Sequence, residues 1–256
     1  MPDPNLTVSL LTPDEAPQYM FIRHETFRPT INKILYPRGE PSAATLARVT
    51  SDIRTGITND GILYLKCVDS TPNPNPDTSS PPSPPLIIAG ARWRSVPASS
   101  PTLPIPPPYP ESDPALFRHF YALFNDAKTT HLGGCAYFAL DTLVTLAGHQ
   151  RRGAGGRLVE WGVRRADEAG VQCWVEASPM GEGLYKRWGF ERVAEVGVDL
   201  GEWGVGEGEL RFVVSCVWFS FLFYVVWFWR SLSSFHSVIF QACMAEVRPC
   251  VVLDLY

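Results

Sequence analysis

The chain has 256 residues, 45% of them hydrophobic, which is enough to build the core of one large α/β domain. A formal net charge of −4 and a pI near 5.7 argue against a nucleic-acid binder, because such domains carry a net basic surface. The six cysteines show no C-x-x-C pair and no zinc-ligand spacing, so no metal site is expected.

The first residues carry no basic segment ahead of an apolar run, so no secretory signal is read there and a cytoplasmic location is expected. Residues 6–11 alternate in the manner of a strand. Thr12, Pro13 and Glu15 then form a helix start: a capping hydroxyl, a proline suited to the first turn, and a glutamate that can bond back. A helix over 14–27 follows, then an irregular helical piece over 31–37 and a helix over 42–55 with Leu46, Val49 and Ile53 on one face. Residues 62–68 and 86–93 read as the strands of a hairpin. The proline-rich stretches 72–85 and 96–114 are expected to be disordered loops. Beyond them the pattern predicts a helix over 114–130, a strand over 137–146 and a helix over 157–169 stopped by Gly170. A strand over 171–177, a short helix over 182–188 and a strand over 190–200 complete the series.

Residues 143–157, LVTLAGHQRRGAGGR, hold the most specific pattern in the chain. A strand stops at small residues, cationic and amide side chains follow, and Gly153, Gly155 and Gly156 lead into a helix. Without Cβ atoms, such a turn lets several backbone N–H groups converge on an anion at the positive end of the helix. A phosphate or pyrophosphate is the natural guest. The turn lacks the Gly-Lys-Ser/Thr of a P-loop and the G-x-G-x-x-G spacing of dinucleotide folds. It has Q-x-x-G-x-G instead, as Gln150, Gly153 and Gly155.

This pattern resembles the acyl-CoA signature of the GNAT acetyltransferase superfamily. The strand with Glu176, the short helix with Leu184 and Tyr185, and the Gly189-Phe190 opening of the next strand follow in a similar order. The wording of this region resembles fungal-type members. Ala147 departs from the pattern, since proline is common there.

The resemblance implies an α/β (α+β) fold: a mixed, splayed sheet of six or seven strands flanked by helices. Acetyl-CoA would enter the splay as co-substrate, with no metal. Leu143, Val144 and Thr145 would pair with the pantetheine, while the amides of Arg151, Arg152, Gly153, Ala154, Gly155 and Gly156 hold the pyrophosphate. Side chains of Gln150, Arg151 and Arg152 would add hydrogen bonds and charge. The implied reaction is transfer of an acetyl group to a primary amine of a small molecule or peptide, with Tyr185 as general acid. Glu176 or Asp141 would be the base if either faces the cleft, and a water chain without a dedicated base stays open. His149 titrates in the right range but sits on the cofactor side. The first helices would form one wall of the acceptor cleft, although Phe21, Phe27, Ile34, Leu35 and Tyr36 fit a core assignment better. A CoA-binding module of this fold without turnover is the alternative.

Residues 1–212 would make up this domain. The segment 213–241 is anomalous, because 213–229 carries no charge and is at the short edge of what spans a bilayer. One reading is a tail anchor, which would make the protein membrane-attached. The other is a translated intron, whose removal joins ELRF to ACMAEV and makes 242–256 the source of the last strand.

Overall fold

The computed structural model describes residues 3–71, 86–99 and 102–217. They form a seven-stranded sheet in the order β1-β2-β3-β4-β5-β7-β6. The strands are β1 (Leu6–Leu10), β2 (Leu63–Asp69), β3 (Leu86–Val96), β4 (Tyr137–Thr145), β5 (Gln172–Ala177), β6 (Glu191–Asp199) and β7 (Glu209–Val217). Only β4 and β5 run parallel; every other neighbouring pair is antiparallel. The helices are α1 (Ala16–Phe27), α2 (Asn32–Leu35), α3 (Ala43–Thr58), α4 (Pro114–Leu132), α5 (Ala154–Ala169) and α6 (Pro179–Lys186). The mixed sheet flanked by helices is the expected architecture.

Local chemistry starts these helices where the sequence indicates. Glu15 accepts from the Thr12 N–H at 2.9 Å and the Thr12 hydroxyl at 3.0 Å, so a 3₁₀ turn leads into α1. The Ser42 hydroxyl oxygen accepts from Thr45 N–H at the start of α3, and Asp113 accepts from the Ala115 and Leu116 amides at the start of α4.

Helix α5 lies flat on one face of the sheet, burying Leu158, Val159 and Ala166 around Trp93 and Phe138. Gly162 permits that approach, since a Cβ there would fall 2.1 Å from the Trp93 ring. The indole N–H of Trp93 donates to the Leu158 carbonyl at 3.2 Å. On the opposite face, α1 presses Tyr19 against Gly90 of β3, where an added Cβ would lie 2.6 Å from the Tyr19 ring.

The second proline-rich stretch corrects the expectation of disorder over residues 102–113. Glu111 accepts from Ser42 N–H at 2.8 Å and from the Thr45 hydroxyl at 2.7 Å, and the Ser112 hydroxyl donates to the Leu35 carbonyl at 2.7 Å. Tyr109 packs between Tyr36 and Phe117. Proline fixes this strap in an extended path, and its polar residues find partners on α2 and α3. The first proline-rich stretch, 72–85, lies outside the described residues.

Strand β7 continues to Val217, five residues past 212, the expected limit of the domain. Val213 to Val217 pair with β5, and Val213 to Cys216 also pair with β6. The rest of the anomalous segment and the tail, 218–256, lie outside the described residues. Among the described residues no helix is long and apolar enough to cross a membrane.

Candidate active site

The sheet opens between β4 and β5. Their pairing runs from Tyr137↔Gln172 to Leu140↔Val175 and stops there, although β4 continues to Thr145 and β5 to Ala177. Leu143, Val144 and Thr145 pair with β3 on one side, opposite Ala91, Gly90 and Ala89. Their other edge, toward β5, has no strand partner among the described residues. This is the splay that the resemblance implies, and it leaves backbone groups open to an extended guest.

The glycine turn sits at the mouth of that splay. A 3₁₀ turn over Ala147–His149 follows β4, Arg151 takes φ 62°, and Gly153 takes φ 102° as the residue before α5. Because Gly153 makes this turn, α5 begins at Ala154, earlier than the expected 157. None of the six amides from Arg151 to Gly156 donates to an acceptor among the described residues, and no side chain caps α5. A helix start with a run of unpaired N–H groups has anion-binding capacity of its own. Gly155 lies against Leu143 of β4 and Leu184 of α6: a Cβ there would be 3.3 Å from Leu184 and 3.8 Å from Leu143. The turn, the splayed strand and α6 therefore converge.

Side chains of the turn behave differently from one another. Gln150 and Arg151 are exposed. Arg152 turns back onto the protein, donating to Asp69 at 2.6 Å and to Asp3 at 2.5 Å, with His149 Nδ1 at 3.1 Å. Its hydrogen bond, with those from Thr71, holds the Asp69 carboxyl well below the usual carboxylate range. The cationic side chain expected at an anion is thus committed to two carboxylates, and Arg152 offers the turn its backbone only. His149 belongs to the same cluster.

Tyr185 is buried on α6 and packs edge-on against Phe190, with ring centroids 5.6 Å apart. Burial pushes its phenol pKa up, so it remains protonated at neutral pH.

Both expected base candidates flank the fork. Asp141 is the first β4 residue past the last β4–β5 pair, and Glu176 the first of β5. Asp141 is also the odd residue of a bulge, since Arg92 pairs with Thr142 and Trp93 with Leu140. Its Oδ2 accepts from Arg92 Nε and Arg94 Nε, each at 3.1 Å. Glu176 is paired with Lys128, a 3% exposed lysine of α4, and accepts from Trp174 Nε1 at 2.5 Å.

Sequence reasoning missed Arg92, Arg94 and Lys128, whose roles depend on partners 47 to 49 residues away. The sequence signal was only charge inside otherwise apolar strand and helix patterns. Of the residues expected along the first helices, Ile34, Leu35 and Tyr36, in and just after α2, are buried in a core cluster, while Phe21 of α1 is 54% exposed.

No protein-family model matches the sequence, and no curated protein matches it. Solved structures do match. An agmatine N-acetyltransferase is similar over 83% of this chain and 99% of its own, with TM-score 0.56 and 13% identity. A polyamine N-acetyltransferase of Drosophila melanogaster gives TM-score 0.55 over 83% and 99%, also at 13% identity. A mosquito arylalkylamine N-acetyltransferase-like protein gives TM-score 0.54 over 82% and 98%, at 13% identity. With its strand order, its parallel β4–β5 pair and the fork between those strands, the chain has the fold of these N-acetyltransferases.

Proposed function

We propose that the protein is an acyl-CoA-dependent N-acetyltransferase, moving an acetyl group from acetyl-CoA to a primary amine. The observation that carries this reading is the run of amides from Arg151 to Gly156 at the start of α5 that find no partner among the described residues, next to the edge of Leu143 to Thr145 that has no strand partner among them. A pyrophosphate suits the first and an extended amide-bearing arm suits the second. The amines named for the structural neighbours, agmatine, arylalkylamines and polyamines, support an amine acceptor.

Acetyl-CoA supplies an activated acyl group, and the residues of the chain manage charge and protons around it. Tyr185, kept protonated by burial, delivers a proton to the departing thiolate. Asp141 and Glu176, at the two sides of the fork, draw the proton from the attacking amine directly or through water. Each keeps one carboxylate oxygen outside its ion pairs among the described residues. The amine lies between them, and no metal enters the scheme.

The test is amine-dependent thiol release from acetyl-CoA by the purified chain, measured across a panel of amines. Release that rises with amine and acylated product of the right mass are the expected result. Acetyl-CoA binding without release on any amine would leave a CoA-binding module, and no release together with no binding would reject the reading.

A further inference from the structure

On the α1 side of the fork, the charges do not balance. Arg92 and Arg94 share one carboxylate, that of Asp141, and their side chains are 30% and 24% exposed, so they stay reachable from solvent instead of being sealed. Arg23 reaches the same place from α1. Its guanidinium lies over the Phe27 ring, 5.9 Å from the centroid, bonds to the Tyr36 hydroxyl and lies near Tyr109, Tyr121 and Arg92, and it makes no ion pair with a carboxylate among the described residues. Arg23, Arg92 and Asp141 all lie within electrostatic reach of Tyr19 and Tyr121, so with Arg94 three guanidinium groups gather around one carboxylate among the described residues. The Tyr19 hydroxyl is buried there without a hydrogen-bond partner, next to Tyr64 and in the field of Arg92, Arg23 and Asp141.

Two surplus cations held partly out of water, beside an unused hydroxyl, leave room for a ligand that completes them. The cluster is on the sheet face opposite α5, because Arg92 and Arg94 flank Trp93, which packs under that helix. It is therefore distinct from the anion site of the glycine turn. A guanidinium matches a planar carboxylate in a two-point hydrogen bond.

Building on the transferase reading, we infer that the acceptor is a small amine carrying a carboxylate, held by Arg23 with the Arg92–Arg94 pair. Asp141 joins the arginine cluster to the fork, so a carboxylate anchored by these arginines leaves the amine of the same molecule beside the acyl group. Polycationic amines are repelled by the same charge.

The experiment compares the common amino acids with their carboxamides and their decarboxylated amines, using the full chain. Transfer from acetyl-CoA is expected to favour the best carboxylated acceptor over its decarboxylated partner by about tenfold or more in kcat/KM. Arg23→Gln is expected to raise KM for that acceptor by about tenfold while leaving acetyl-CoA affinity and the KM of the decarboxylated amine unchanged. Arg23→Lys should recover part of the loss. Calorimetry of the same compounds without acetyl-CoA supplies a readout that does not depend on turnover, with binding expected for the carboxylated member alone.

Equal or better use of the decarboxylated amines, no binding of any amino acid, or an unchanged KM in Arg23→Gln would overturn the inference. Failure of the chain to bind acetyl-CoA would instead strike the transferase reading, and the calorimetric preference for a carboxylate would still decide this one.

Discussion

Arg152 shows how a charged residue in a binding turn can serve through its backbone. Its guanidinium ties Asp3 and Asp69 to the turn, while its N–H stays in the unpaired run. Because the folded pKa of Asp69 is depressed, its contribution is present above the ordinary carboxylate pKa and is lost as pH falls toward the folded value. Asp69→Asn should therefore lower Tm near pH 7 by about 2–4 °C, with the gap closing below about pH 4; a gap independent of pH would show that the ion pair is not its source. Tyr185 acts in another way. Tyr185→Phe should lower kcat by about 10²-fold or more and leave acetyl-CoA affinity unchanged, as single-turnover kinetics and calorimetry would report. With the phenol pKa raised by burial, no loss of activity from Tyr185 ionisation is expected below about pH 10.

At the scale of elements, the helix starts and the glycine turn were legible because local rules govern them: Thr12, Ser42 and Gly153 act on residues within four positions. The fork was legible only through the resemblance. No periodicity says that β4 and β5 part after Leu140 and Val175. The arginine cluster was not legible at all, because it draws Arg23 from α1, Arg92 and Arg94 from β3 and Asp141 from a bulge in β4. The strap over 102–113 was misread because composition reports solubility and not the partners that Glu111 and Ser112 find. Helix α5 is held to the sheet by a close approach that only glycine permits. Gly162→Ala should cost about 1–3 kcal/mol in denaturant unfolding, since a Cβ would meet the Trp93 ring at 2.1 Å. An unchanged midpoint would mean that α5 does not sit flush on Trp93.

Across the whole molecule, the sheet depends on β7, which joins β6 to β5. A chain stopped after Val217 should melt cooperatively, whereas one stopped after Phe212 loses Val213 to Val217 and should not; equal melting would show that those residues are dispensable. Excision of 213–241, the intron reading of the tail, would place Ala242, Cys243, Met244, Ala245 and Glu246 at the same five positions. A mature transcript that retains those codons as its only form removes that reading. The acyl-CoA grip built by the turn and the fork is open to titration calorimetry of acetyl-CoA into the native chain and into Gly153→Val. Valine opposes the φ of 102° that aims the amides, so saturable one-to-one binding to the native chain and none to a folded Gly153→Val is the expected result. No binding to the native chain, or equal binding to both, would contradict it.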